Sequence, residues 1–306
     1  MPDYKNKLAF VVATKDRPCE LRNMLKSLGV QSYRPDQVVI VDGSEQSVEK
    51  IVQEFPNLRI TYLRCIPPSA ARQRNLGIES VDSEVHLIGF LDDDIELASD
   101  ALQKMMDFWE NASEDTGGAA FNMINHPQLY GAWLKHLPLT EKLGLYSKDG
   151  GKVLPSGFHT MIGYIPETNF VQWLPTGAVL WRRKVLQEFR FDEWFNGYSY
   201  LEDLDFSYQV VKKYQLVVVA GAHYYHYPSS TGRDNGYIFG KREVKNRIHF
   251  IKKHQELSPA KCYWALITRM CISLSLAIRE REASYLKRSL GNVMGMAQVL
   301  LPLKKN

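Results

Sequence analysis

The 306-residue sequence has only four cysteines, Cys19, Cys65, Cys262 and Cys271, and no two of them stand at Cys-x-x-Cys spacing. That excludes a disulfide scaffold and a zinc ribbon, and it points to reduced thiols. No uninterrupted apolar run reaches the ~18 residues that would cross a bilayer. The nearest candidate, 262–278, is broken by Thr268, Arg269, Ser273 and Ser275. Two phosphate motifs are missing, G-x-x-x-x-G-K-[ST] and G-x-G-x-x-G, which argues against a P-loop nucleotidase and an ordinary dinucleotide-binding domain. There is no internal repeat and no low-complexity tract. Neither sign of charge dominates: 38 Lys and Arg against 34 Asp and Glu leave +4, too little to imply nucleic acid. Residues 1–7 are polar and the apolar stretch 8–13 is too short for a signal h-region, so a cytoplasmic compartment is expected.

What is present is ordinary for a globular chain, 45% hydrophobic and 24% charged. Short apolar runs at 8–13, 37–41, 58–63 and 85–91 read as strands. Between them, 18–28, 45–54 and 69–80 carry helical spacing, the first opened by Pro18. This βαβαβαβ alternation predicts an α/β fold with a mostly parallel sheet flanked by helices. Further on, 201–214 reads as a helix and 216–220 as a strand, while 111–118, 146–157 and 228–236 read as loops. From Ile238 onward the pattern is mostly helical.

In such sheets, ligands bind beyond the carboxyl ends of the strands. Polar residues gather there: Thr14, Asp16 and Arg17 after the first strand, Asp42 after the second, and Asp92, Asp93 and Asp94 after a later one. A single strand-ending Asp often only caps the next helix; three clusters on one edge are better evidence for a polar site. Three adjacent carboxylates need a compensating charge. A hard divalent cation supplies it, taking one or two carboxylates and phosphate oxygens; a solvated acidic turn is the equally weighted alternative. Glu202 and Asp203 open a helix, where acids are favourable dipole partners without further purpose. His223 and His226 follow a strand and could be structural or could offer a neutral imidazole to a metal.

Taken in order, these motifs resemble the family 2 glycosyltransferases, nucleotide-sugar-dependent enzymes with the GT-A fold. The elements are Val11-Val12-Ala13-Thr14-Lys15-Asp16-Arg17, Val41-Asp42-Gly43-Ser44, Gln73-Arg74-Asn75-Leu76-Gly77, Phe90-Leu91-Asp92-Asp93-Asp94, Pro175-Thr176-Gly177-Ala178, Phe191-Asp192-Glu193, Glu202-Asp203 and His226. Each is weak alone; their order is specific. The resemblance covers about residues 8–232. It implies a GT-A-like domain over 1–237, with a Rossmann-like nucleotide-binding half (1–110) and an acceptor half (111–237), followed by a helical extension (238–306).

The resemblance also implies roles. Ala13, Thr14, Asp16 and Arg17 would line the base and ribose pocket. Asp42 would hydrogen-bond the base, and Arg74 and Asn75, with Arg72, would meet nucleotide or phosphates. Asp92, Asp93 and Gly177 would complete the nucleotide-sugar pocket. Asp92 and Asp94 look like the outer residues of an Asp-x-Asp motif holding Mg2+ or Mn2+, with His226 in the metal shell. Asp203 looks like the general base, with Glu202 second. The expected partners are a nucleoside-diphosphate sugar donor and a glycan or lipid-linked acceptor, in an inverting transfer that belongs to polysaccharide or cell-envelope synthesis, without nucleic acid.

Cys65-Ile66-Pro67-Pro68 replaces a Gly-rich stretch, leaving open whether Arg72 or Arg74 points inward. The loop 229–236, with Arg233, reads either as a lid over the diphosphate or as ordinary surface. The basic, apolar tail reads either as helices packed on the domain or as peripheral contact with the inner face of a membrane. Two rival functions remain at this stage. A sugar-phosphate nucleotidyltransferase would want a Gly-rich loop after the first strand. A non-catalytic nucleotide-sugar-binding protein would lack the acidic motifs that this chain retains.

Overall fold

A computed structural model describes residues 4–126, 141, 146–229 and 235–301. They fall into two compact units, Met1–Pro127 with Ile162–Gly232, and Gln128–Met161 with Arg233–Asn306.

The first unit is built on a nine-stranded sheet. Its strands are β1 (Leu8–Thr14), β2 (Gln37–Asp42), β3 (Ile60–Arg64), β4 (Leu87–Asp92), β5 (Ile95–Leu97), β6 (Thr116–Met123), β7 (Asn169–Val171), β8 (Ala178–Arg182) and β9 (Gln215–His226). They run in the order β3-β2-β1-β4-β8-β6-β9-β5, with β7 on β9. β1 pairs in parallel with β2 and β4, and β2 with β3. β8 then enters antiparallel to β4 and β6, so the sheet is a parallel half joined to a mixed half. This is the expected α/β architecture.

β1 is apolar at successive positions because both of its faces are covered. Leu8, Phe10 and Val12 pack toward Leu21, Met24, Leu25 and Leu28 of α1 (Pro18–Gly29). Ala9 and Val11 pack on the opposite side, with Ala71 and Ile78 of α3 (Ala70–Glu79). The short α2 (Glu49–Val52) and α4 (Ala101–Asn111) complete this half. Gly77 lets α3 lie close on β1, where a Cβ would collide with the Val11 side chain. α5 (Arg183–Glu188) and α6 (Glu202–Val210) follow β8.

Two expectations shift. The helix read over 45–54 is only α2, because the Ser44 and Val48 amides donate instead to the Asp42 carboxylate at 2.7 and 3.1 Å. The strand read over 216–220 continues to His226, with a register shift in its pairing to β6 at Phe121/Asn122.

The second unit combines an irregular segment at 146–161, with an isolated bridge between Val153 and His159, and three helices among its described residues: α7 (Gly236–Lys253), α8 (Pro259–Glu280) and α9 (Ala283–Leu300). Asn235 caps α7 by accepting the Ile238 amide, and Ser258 caps α8 by accepting the Lys261 amide ahead of Pro259. α7 and α9 approach through glycines; a Cβ on Gly240 would strike the Arg288 carbonyl, and one on Gly291 the Tyr237 carbonyl. Around that contact lies a buried ion network. Glu243 accepts from the Arg288 guanidinium at 2.7 and 3.1 Å and from Asn292 at 3.1 Å, with Arg269 at 3.7 Å. Arg247 is buried over the Phe158 ring and donates to the Gly157 carbonyl.

Candidate active site

Gln73, on the buried side of α3, ties the carboxyl ends of β1 and β2 by donating to both the Thr14 carbonyl (3.0 Å) and the Val41 carbonyl (2.8 Å), and β4 joins them through its parallel pairing with β1. The loops after β1 and β2 are tied as well. Asp16 takes a left-handed backbone, φ 55°. Its amide donates to Ser44 Oγ at 2.7 Å, and its carboxylate accepts the Glu45 amide at 3.0 Å. Ala13, half-buried, is the next-to-last residue of β1.

Asp42 is fully buried and has four donors: the Ser44 and Val48 amides, the Tyr62 hydroxyl (2.6 Å) and the Arg64 guanidinium (2.6 Å). Burial alone would raise its pKa, but these donors overcome that and hold the carboxyl below the usual range. Arg64, at the end of β3, also donates to the Ser44 carbonyl. Arg64 ends β3 and so meets the same strand-end criterion that singles out Asp42.

The acidic run is divided by direction. Asp93 turns inward, accepting from Thr14 Oγ1 at 2.8 Å and from Arg17 at 2.9 Å. Burial pushes its carboxyl up to about 7, against the pull of Arg17. Asp94, equally buried, and the half-buried Asp92 instead meet His226. Ligand atoms of all three lie within 4.8 Å of one another. Asp94 is hydrogen-bonded to His226 Nε2 at 3.1 Å and to the Ser229 amide at 3.1 Å, with Arg17 at 3.4 Å. Burial would raise Asp94, but the His226 contact and these donors keep it low.

Arg17 and Arg74 therefore supply part of the counter-charge that the acidic run requires. What suits a cation is the convergence of two carboxylates and one imidazole. These are hard oxygen donors plus a nitrogen, a set that accepts Mg2+ or Mn2+. Gly177 closes one side: a Cβ there would come within 3.3 Å of Asp92 Oδ2, and the Gly177 carbonyl accepts the Asp92 amide at 2.9 Å. Tyr224 is buried on β9 near this carboxylate. Burial raises its phenol, and Asp92 and Asp94 add to the rise.

Arg74 links the metal-type cluster to the second acidic motif. It donates to Asp92 at 3.3 Å and to Glu202 at 2.5 Å. Burial would lower its pKa, but Glu202, Asp92 and Asp203 outweigh that and hold it protonated. Arg72, one residue pair earlier, is exposed; the inward arginine is Arg74. Glu202 is buried, and burial raises its carboxyl against the opposing pull of Arg74.

Asp203 is half-buried, with its pKa raised chiefly by burial. Its Oδ1 accepts the Leu204 amide at 2.7 Å, and Oδ2 has no hydrogen-bond partner among the described residues. The turn leading into this pair is strained, with Ser199 at φ 53° and Leu201 at φ 79°. It is held down by the Ala70 amide on the Gly197 carbonyl (3.2 Å) and by the Ala71 amide on Ser199 Oγ (3.2 Å). Asn75 clamps the same segment. Its amide group donates to the Phe191 carbonyl (2.9 Å) and to Glu193 (3.0 Å), and accepts the Phe191 amide (3.1 Å). Residues 230–234, including Arg233 of the predicted lid, lie outside the described residues.

Over residues 9–164 the chain matches the family described as Glycosyl transferase family 2. No curated protein matches its sequence. Among solved structures it is similar to TarS from S. aureus, at 15% identity and TM-score 0.53, covering 93% of this chain and 55% of that one. This chain thus spans about half the length of that TarS chain. It is also similar to TarS 1–349 in complex with UDP-GlcNAc (13% identity, TM-score 0.51, 98% and 93% covered). A third likeness is to the mannosyltransferase PcManGT from Pyrobaculum calidifontis in complex with GDP-Man and Mn2+ (12%, TM-score 0.57, 99% and 92%). At such identities the likeness is one of fold, the GT-A fold.

Proposed function

Because the chain belongs to glycosyl transferase family 2 and is a glycosyltransferase, we propose that it moves a sugar from a nucleoside-diphosphate sugar to a hydroxyl of a glycan or lipid-linked acceptor, with inversion. The observation that carries this reading is the convergence of Asp92, Asp94 and His226 beside the Arg74–Glu202 pair, at the strand ends where such sheets take ligands. UDP-GlcNAc bound to TarS, and GDP-Man with Mn2+ bound to PcManGT, support a nucleotide-sugar donor here.

Asp92, Asp94 and His226 would hold Mg2+ or Mn2+, which when bound offsets the charge that develops on the departing diphosphate. Asp93 stays out of that shell and fixes Thr14 and Arg17 behind it. Ala13, Thr14, Asp16, Arg17 and Gly177 line the donor pocket, and Asp42 shapes the loop against which the base sits. Arg74 is the arginine of this pocket, and Asn75 serves it by fixing the segment beyond Phe191.

An acceptor hydroxyl is a weak nucleophile until its proton is taken. Asp203 is the base: Oδ2 is available to accept that proton, and burial makes the carboxylate more basic than a solvated one. Glu202 is instead committed to Arg74. The hydroxyl oxygen bonds the anomeric carbon from the face opposite the diphosphate, whose bond breaks as the proton passes to Asp203. One base and one displacement suffice, and the anomeric configuration inverts.

Asp203→Asn keeps shape and removes basicity. Turnover should fall by roughly 10²–10⁴-fold, with donor affinity near that of the parent protein by calorimetry. Turnover within a few-fold of the parent protein would remove Asp203 as the base.

A further inference from the structure

α8 and α9 each bury one side and leave the other apolar and bare. On α8 the buried residues are Cys262, Ala265, Leu266 and Ser273. Opposite them, Trp264, Ile267, Cys271, Leu274 and Ile278 are exposed, at alternating spacings of three and four that place them on one face. Trp264 is 53% exposed and Ile278 75%. On α9 the buried side is Ser289, Gly291, Asn292 and Gly295. Its other side carries Leu286, Leu290, Val293, Met294 and Leu300, all exposed. Apolar helix faces of this extent on a protein in water mark an interaction surface.

Charge says what covers it. Residues 236–306 hold 14 Lys and Arg against 4 Asp and Glu, while residues 1–235 hold 24 against 30. Within the helices, Glu243 is buried and already paired with Arg288, so it offsets nothing outside. The exposed charges at the ends of the stripes are Lys261, Arg279, Arg281 and Lys287 against Glu280, which pairs with Arg279 at 3.1 Å, and Glu282, so base predominates there. A symmetric second copy would set these basic faces against each other.

We infer that the apolar faces of α8 and α9 dock in the plane of an anionic lipid bilayer, with the bordering Lys and Arg on the phosphate headgroups. α8 is a 22-residue helix whose most apolar window has a mean hydropathy of 1.2, long enough to span. It lies flat instead, because Arg269 near its middle turns to Glu243 and its opposite side is occupied by protein. Trp264 suits the boundary between headgroup and chain. The close glycine contact of α7 with α9 is the kind of packing that holds helices together when water does not drive their association. The inference deepens the proposed reaction, and rests on it for one consequence, that a lipid-linked acceptor would be presented at this surface.

The test uses the full chain without donor or acceptor. Cys19→Ser leaves Cys271 as the exposed thiol among the described residues, and it takes an environment-sensitive fluorophore. Flotation with phosphatidylcholine vesicles, with and without phosphatidylglycerol, gives the partition coefficient. The expected result is binding that requires phosphatidylglycerol, weakens with salt, and shifts the emission to the blue.

Ile267→Ser/Leu274→Ser/Ile278→Ser, all at exposed positions, should lower partitioning at least about tenfold. Arg279→Glu/Arg281→Glu/Lys287→Glu should lower it by a similar factor or more. Absence of flotation, flotation unchanged by the serine substitutions, or a blue shift without lipid in a protein of dimeric mass would overturn the inference. The last would assign the face to a second copy. Transfer to a soluble glycan without vesicle binding would sink this inference alone. Vesicle binding with no transfer from any nucleotide sugar would sink the reaction alone.

Discussion

In the sheet unit the buried carboxylates Asp42, Asp93 and Glu202 sit at the ends of strands or at the start of a helix, each held by neighbours that leave a cluster facing outward. In the helical unit Glu243 lies within α7, ringed by Arg288, Arg269 and Asn292, and faces nothing but its partners. Both arrangements overcome the cost of burying charge in the same way, by pairing and hydrogen bonding. Their consequences differ. Strand ends stop in register on one edge, so charges placed there converge on space that a ligand can enter. A charge along a helix flank converges on another helix, and it fixes how the two cross.

The contrast can be broken by substitution. The largest stability effect is expected at Glu243→Gln, which strands two arginines and should cost about 3–5 kcal/mol. Burial raises this carboxyl, yet the guanidiniums and Asn292 hold it below its ordinary 4.5. Its contribution is therefore complete above that pH and is lost as pH falls through the folded value. Denaturant melts at neutral and acidic pH should show the variant less stable at neutrality and less sensitive to acid. Donor affinity should be unchanged, and an affinity loss would show that the two networks are not separate.

Gly240→Ala comes next. Its methyl must displace the Arg288 backbone, an overpacking expected to cost about 1–3 kcal/mol, read as an earlier melt of the helical unit. A stability effect of similar size is expected at Asn75→Ala, where three hydrogen bonds to Phe191 and Glu193 are lost, for about 1–3 kcal/mol. Here catalysis should respond more than stability, because the segment that delivers Glu202 and Asp203 is released. Unchanged turnover would deny Asn75 that positioning role.

The parallel half of the sheet was legible because β1, β2 and β4 are long apolar runs that stop at Thr14, Asp42 and Asp92. β6 was hidden: Gly117, Gly118, Ala119 and Ala120 offer no β-branched signal, and 111–118 reads as a loop. β5 and β7 are three residues each and lack any period. Thr14, Asp16, Arg17, Asp42, Asp92–Asp94 and His226 could be singled out because strand ends and short motifs are local features. Which carboxylate turns inward was not legible. Asp93 pairs with Thr14 and Arg17 across almost eighty residues of sequence, and Arg74 reaches Glu202 across more than a hundred. Gln73 stands in a recognisable motif but its role is not legible there, and Arg64 stands in none, for the same reason: their partners are fixed by tertiary contact, not by spacing.

If Asp92, Asp94 and His226 hold a nucleotide sugar through a divalent cation, donor binding must depend on both the metal and Asp94. Calorimetric titration of UDP-, GDP-, dTDP- and CMP-sugars with Mn2+, with chelator, and against Asp94→Ala tests it most directly. Saturable binding of at least one donor is expected, weakened by about tenfold or more when the chelator is present or Asp94 is removed. Equal affinity in all three conditions, or no binding of any donor, would contradict it.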